Sequence, residues 1–276
     1  MYKRQVGETT GDHRFVFEQT DGVKPIDLAM EDMFGKAPRT IMTDKTVEET
    51  YEDVTYDQTQ LDEYVERVLQ LEAVACKDWL TNKVDRSVTG KIARQQCQGE
   101  IQLPLSDCGV VALDYRGRAG IATSIGHAPQ AALVDPAAGS VLSIAEALTN
   151  IVWAPLSEGL DSVSLSANWM WPCKNEGEDA RLYRAVEACS DFACSLGINI
   201  PTGKDSLSMT QKYGKDKVYS PGTVIISAGA EVSDIRKVVS PVLRTGVDST
   251  VYYIDFSFDK LKLGAVSYTH LTLPTT

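Results

Sequence analysis

The chain has 276 residues and a formal net charge of −11, from 27 basic and 38 acidic side chains. That balance argues against nucleic acid or an anionic membrane as the main partner, since both would repel it. With 43% hydrophobic and 24% charged residues, the composition is that of a soluble globular protein, long enough for one large domain or one domain with pieces of neighbours.

No apolar run approaches the roughly 18 residues of a membrane span. The opening "MYKRQVGETTGDHRF" has no apolar stretch of the signal-peptide kind. Six cysteines (Cys76, Cys97, Cys108, Cys173, Cys189, Cys194) include no C-x-x-C pair, and settings such as "SDCGVVAL" are apolar. Free buried thiols in the cytoplasm are the expectation. The acidic balance still admits a nucleotide, because a magnesium ion held by carboxylates supplies positive charge locally.

Both ends look foreign to the rest. "MYKRQ" (residues 1–5) and "VSYTHLTLPTT" (266–276) read as translated cloning or adapter scars, so the natural sequence is expected to be a fragment. "RFVFEQ" reads as a short strand. "KPIDLAMEDMFGKAPR" reads as a connector ending in Gly and Pro. Residues 40–57 are polar and threonine-rich, an extended linker or edge strand.

From Leu61 the apolar positions Leu61, Tyr64, Val65, Val68, Leu69 and Leu71 fall at helical spacing. "GVVALDY" and "GIATSIG" read as strands, followed by the apolar run "AAGSVLSIAEALTNIVWA" and a β-like "DSVSLSANW". A second amphipathic helix is expected from about Glu178 to Leu196, with Leu182, Val186, Cys189, Ala193 and Leu196 on one face and Gly197 as its C-cap. "GTVIISAGAEV" and "STVYYIDFSF" read as further strands. The loose alternation of strands and helices defines an α+β protein rather than a doubly wound sheet.

Four constellations carry candidate chemistry. "PTGKDSLSM" is not a P-loop, since Gly197 and Gly203 stand one residue too far apart and Asp205, not Ser or Thr, follows Lys204. Lys204 and backbone amides could still bind phosphate, or Asp205 magnesium; spacing alone favours a polar turn before a strand. In "SIAEALTN", a helix over residues 139–153 would put Glu146 and Asn150 at i and i+4 on one face. A carboxylate and an amide oxygen one turn apart suit magnesium, although a Glu–Asn hydrogen bond on a solvated face is the commoner outcome.

Asp107, in "LPLSDCGVVAL", directly precedes an apolar strand, either at a ligand-collecting strand mouth or as a turn residue. "DRSVTGKIARQQ" offers Arg86, Lys91 and Arg94 around Gly90, an anion site or ordinary surface. His13 and His127 have no nucleophile or metal partner nearby in sequence and receive no catalytic role.

Taken together, "DRSVTGKIARQQCQGEIQLPLSDCGVVAL", "AEALTN", "SANWMWPCKNEGEDARLY" and "PTGKDSLSM" resemble the large-form phosphoribosylformylglycinamidine synthase family, over nearly the whole chain between the suspect ends. A more distant likeness is to the aminoimidazole ribonucleotide synthetase superfamily. The resemblance implies a fold with a mixed or antiparallel sheet packed by helices. It implies part of a ligase that uses ATP and glutamine to convert formylglycinamide ribonucleotide to its amidine in purine biosynthesis.

On this likeness, residues 6–35 end one C-terminal-type subdomain and 36–55 are a linker. Residues 56–235 form the second N-terminal-type, nucleotide-binding subdomain, and 236–265 begin the next C-terminal-type subdomain. The family's second half holds an auxiliary ATP or ADP with Mg²⁺. By carry-over, Asp107, Glu146 and Asn150 match the metal ligands, Ser106 matches a nucleotide contact, and Lys77, in "ACKDW", matches a lysine near the nucleotide. "GKDSLSM" is implied to lie near a pseudo-dimer interface.

The family's first half, with the main ATP site, and its glutaminase domain are expected to be absent as partners supplied elsewhere. The chain alone is then inactive, and none of its six cysteines is the glutaminase nucleophile. The alternatives are a free-standing kinase or synthetase of the superfamily, or a structural pseudo-dimer module with no ligand of its own.

Overall fold

The structure is a computed structural model that describes residues 7–35, 39–48, 50, 55, 57–72 and 74–253. The two suspected scars, residues 1–5 and 266–276, lie outside the described residues, as does 254–265. Two compact units are present, Met1–Thr43 and Asp44–Thr276.

In the first unit, β1 (Arg14–Phe17) pairs antiparallel with β2 (Ile26–Ala29), and α1 (Met30–Phe34) follows directly. The stretch read as a connector is therefore a strand and a helical turn. What composition missed is the cross-strand pairing. Phe15 sits opposite Leu28, and the Arg14 guanidinium holds Asp27 through Nε at 2.8 Å. The turn between the strands carries Gly22 at φ 83, where only glycine is comfortable.

The second unit begins with α2 (Leu61–Leu69) and α3 (Asp78–Thr81). The expected helix at Leu61 is present, but its apolar face is not covered: Leu61, Val65 and Leu69 are exposed. Short strands β3 (Ile92–Arg94), β4 (Cys97–Gln98) and β5 (Leu103–Pro104) lead to β6 (Cys108–Ala112) and β7 (Gly120–His127). Helices α4 (Pro129–Val134) and α5 (Pro136–Ile151) come next, then β8 (Ser164–Met170), α6 (Glu178–Leu196) and β9 (Asn199–Ser206). A hairpin, β10 (Thr210–Tyr213) with β11 (Asp216–Tyr219), precedes β12 (Thr223–Val232).

Six strands form the main sheet in the order β3-β6-β7-β12-β8-β9, every pair antiparallel except β8 with β9. Residues of β7 alternate strictly between buried and exposed, the signature of a sheet covered on one face. The core lies under that face, where Ile144 and Ile151 of α5 meet Val110, Leu165, Val224 and Ile226 of the strands. Each such side chain contributes about 1.5–3 kcal/mol through burial. The α+β expectation and the mixed sheet packed by helices are both found.

α6 has the expected bounds, and Gly197 ends it in the left-handed conformation at φ 70. Its buried stripe runs through Ala185, Cys189 and Ala193 rather than Val186, which is exposed. The small Ala185 packs beneath the fully buried Trp171. The N-terminus of α6 is capped from far away in sequence. Asp44 Oδ1 accepts from the Gly177 amide at 3.1 Å, and Oδ2 accepts from Asp179 at 3.0 Å and Ala180 at 3.3 Å.

"PTGKDS", favoured as a polar turn, is instead strand β9. The α6 crossover returns the chain beside β8 in parallel, and polar side chains suit this solvated edge. Gly203 is present because a Cβ there would collide with the Ala167 carbonyl of β8. The strand expected in "STVYYIDFSF" is not found in 249–253, and 254–258 fall outside the described residues. Among the described residues all six cysteines are free, four of them buried. Among the described residues no helix is long and apolar enough to cross a membrane.

Candidate oxygen-donor site at the end of β7

α5 lies against β7 with almost no space between the backbones. A Cβ on Gly126 would run into the Ser143 carbonyl and the Ala147 amide. Ser124 Oγ donates to Ala147 O at 2.6 Å, locking the same contact from the strand side. This packing carries Glu146 and Asn150, one helical turn apart on α5, to the C-terminal end of β7.

Glu146 Oε2 accepts a hydrogen bond from the His127 backbone amide at 2.6 Å. Asn150 Nδ2 donates to Ile125 O at 3.1 Å, which turns its Oδ1 away as an acceptor. Asp107 directly precedes β6, whose Cys108 is in register with Ser124 of β7. The surrounding protein and then the charge of Glu146 push the Asp107 carboxyl above its ordinary value. Asp107 keeps an open edge to solvent, so the flanking strand and helix withdraw only part of its hydration.

The structure sets Glu146 and Asn150 of α5 against the end of β7 and leaves Asp107 near enough to feel the charge of Glu146. Ser106 is next to Asp107 in sequence, with Oγ donating to Cys108 O at 3.2 Å and its amide to Gln96 O at 3.1 Å. Lys77 precedes α3, and its Nζ donates to the carbonyls of Glu72 and Ala75, within its own turn.

His127, given no partner from sequence, has one. Its Nδ1 is 3.8 Å from Glu146 Oε2, and the hydrogen bond to Glu146 raises the imidazole above its ordinary value while burial opposes the rise. The two residues are 19 apart in sequence, so no local pattern announces them. The strict alternation of "GIATSIGH", ending at an exposed polar residue, is the one available signal.

Two carboxylates and an amide oxygen are a hard donor set of the kind magnesium takes. Burial and then the charge of Glu146 disfavour the Asp107 carboxylate, and a cation would offset both. Among the described residues no three His, Cys, Asp or Glu side chains assemble into a metal-holding group.

The other singled-out residues separate. Lys204 Nζ donates to Ser206 Oγ at 2.6 Å along its own strand. Lys91 Nζ donates to Leu113 O at 2.9 Å and lies over the Tyr115 ring. Arg86 and Arg94 line a common cavity without it.

The site thus stands on a mixed sheet covered on one face by helices. The same fold occurs in PurLQS from Thermotoga maritima, at TM-score 0.52 and 13% identity, covering 82% of this chain and 33% of that one. The model of the FGAR-AT PurM_N-like domain matches residues 76–231, more than half of the chain, and the chain belongs to that family.

Curated relatives named phosphoribosylformylglycinamidine synthase are similar over most of it. The Homo sapiens protein is 40% identical over 256 residues, 87% of this chain and 19% of its own length. The Drosophila melanogaster protein is 43% identical over 223 residues, 80% of this chain and 16% of its own. The chain thus spans about a fifth or less of these relatives.

Proposed function

We propose that this chain is part of a glutamine-dependent C–N ligase that converts formylglycinamide ribonucleotide to its amidine at the expense of ATP, in purine biosynthesis. The reading draws on family membership and on the names of the relatives. Its role within that enzyme is to hold an auxiliary Mg²⁺-nucleotide, ATP or ADP. Asp107, Glu146 and Asn150 would hold the metal, with Ser106 and Lys77 toward the nucleotide.

What supports this role is the nearness of Asp107 to Glu146 by the end of β7, where partial burial and then the charge of Glu146 raise the Asp107 carboxyl and a cation would lower it again. Magnesium would supply the positive charge that offsets nucleotide phosphates. The domain assignment stays as the resemblance gives it: a second nucleotide-binding subdomain over 56–235, flanked by pieces of C-terminal-type subdomains.

Ammonia release and ATP-dependent activation are assigned to the other parts of the ligase, a first synthetase half and a glutaminase, as partners of this domain. Burial pushes the Cys173 thiol up to about 12 and Cys189 up to about 11, so neither offers a thiolate at neutral pH.

Calorimetric titration of the purified chain with ADP tests the role, first with Mg²⁺ and then with EDTA. Magnesium-dependent binding, lost in the Asp107→Ala/Glu146→Ala double variant, is expected. A folded chain that ignores ADP under both conditions would instead be a scaffold.

A further inference from the structure

Two exposed surfaces of the second unit carry opposite charge in matching patterns. The β10–β11 hairpin is the first. Its residues from Thr210 to Tyr219 include three lysines and one aspartate, in a chain of net charge −11. Lys212 of β10 stands directly opposite Lys217 of β11, on one face of the hairpin. Like charges so placed repel, their Cβ atoms being about 4.5–5.5 Å apart. Neither lysine makes an ion pair among the described residues. The register puts Thr210 and Tyr219 on the same face, and Tyr213 and Val218 on the other.

The hairpin is fixed at its base. Asn175 Nδ2 donates to Thr210 Oγ1 at 2.9 Å, the Met209 amide donates to Trp171 O at 3.2 Å, and the Ser220 amide donates to Met209 O at 3.0 Å. Trp171 itself is fully buried. At the tip, Gly214 takes φ 61 in a two-residue turn, as a tight hairpin requires. The lysine pair is therefore presented on a firm support.

Helix α2 is the second surface. Leu61, Val65 and Leu69 recur every four residues and are 58%, 50% and 62% exposed. An apolar stripe left open to water in this way marks an interaction site. Asp62 and Glu66 each follow a stripe residue by one position, so they run beside it one turn apart. At that spacing, about 5–6 Å between Cβ atoms, like charges again repel. Neither carboxylate makes an ion pair among the described residues, and the nearby Arg67 is taken by Glu63.

The two surfaces complement each other. Each holds a like-charged pair, of opposite sign and nearly equal spacing, so each pair relieves the repulsion within the other. Tyr219 and the lysine stems offer apolar area beside the basic pair, as Leu61, Val65 and Leu69 do beside the acidic one. Both surfaces are exposed in the one chain, so they do not cover each other. Two copies related by a twofold axis would meet twice, helix to hairpin and hairpin to helix.

We propose that a second copy of this chain covers these surfaces, with α2 of each copy lying on the lysine face of the other's β10–β11 hairpin. None of the residues involved is assigned to magnesium or nucleotide, so the proposal stands or falls independently of that role.

Sedimentation equilibrium of the full chain in EDTA tests it. The wild type should dimerise in the micromolar range. The dimer should weaken several-fold as salt rises from about 0.1 M to about 1 M and the screening length falls from about 10 Å to about 3 Å. Lys212→Glu with Lys217→Glu should weaken it by about tenfold or more, and so should Asp62→Lys with Glu66→Lys, because each reversal sets like charges against each other. All four residues are exposed, and circular dichroism would verify the fold of each variant.

An equimolar mixture of the two variants should dimerise again, since one contact is then native and the other has its charges exchanged. A wild type that stays monomeric would assign both surfaces to another occupant and overturn the proposal. A dimer that ignores either reversal would overturn it too, as would a mixture of folded variants that stays monomeric.

Discussion

The backbone amide of His127 and its imidazole Nδ1 address the same atom, Glu146 Oε2, at 2.6 Å and 3.8 Å. One carboxylate oxygen thereby ties the end of β7 to α5 and sets the protonation of the histidine. The folded value of His127 lies above its ordinary one, chiefly through this hydrogen bond. Its contribution to stability is therefore complete below a pH of about 6.5 and disappears as pH rises through the folded value. Glu146→Gln should return the His127 titration, followed by NMR, to the ordinary range. An unmoved titration would mean that the pairing does not exist in solution.

Magnesium should act on the same cluster. Asp107 is raised by its partial burial and by Glu146, so charging it above that value opposes folding, and a bound cation removes the penalty. At magnesium about ten times its Kd, the folded chain gains about 1.4 kcal/mol. A thermal melt should rise with Mg²⁺, fall back with EDTA, and show neither response in Asp107→Asn. A response that survives in that variant would place the ion elsewhere.

The close approach of α5 to β7 makes Gly126 irreplaceable. A methyl group there meets the backbone of Ser143 and Ala147, which cannot retreat as a flexible side chain would. Gly126→Ala should cost about 1–3 kcal/mol in urea denaturation. The same variant should weaken Mg-ADP binding, because Glu146 and Asn150 move with the helix. Full stability would show that the helix can shift freely against the strand.

Asp44 holds three amides at the start of α6. Hydrogen bonds keep its carboxyl below the ordinary value, the Lys45 amide first among them. A depressed value gives stability that is present above the ordinary carboxylate range and lost as pH falls through the folded value. Asp44→Ala should thus lower the melting temperature near pH 7, and the gap from wild type should close toward pH 3. Asp44→Asn should recover part of the loss, since an amide oxygen still caps. A gap that does not change with pH would rule out the charge-dependent cap.

Legibility in the sequence followed the range of the interaction. Helix α6 was readable to the residue because its periodicity, its acidic first turn and Gly197 are all local. The i, i+4 relation of Glu146 and Asn150 was readable for the same reason. Asp107 could be placed at a strand mouth, yet its proximity to Glu146 depends on how α5 crosses the sheet.

The partner of His127 and the capping role of Asp44 lie 19 and 133 residues away, beyond any window of periodicity. β9 was misread because an edge strand on a polar surface has the composition of a loop. The long family-like segments supplied the fold where periodicity stopped, and the roles proposed for Asp107, Glu146 and Asn150 rest on that likeness.

β12, the last strand of the sheet to be made, lies in its middle, flanked by β7 and β8. During synthesis the β6–β7 hairpin and the β8–α6–β9 crossover can each form early, but as two separate half-sheets. Neither half has a neighbour on its inner edge until residues 223–232 leave the ribosome. Those open edges of β7 and β8 are templates for strands of other chains. A nascent chain that stalls before Thr223 exposes both at once, so closure by β12 is the step that separates a soluble domain from an aggregating one.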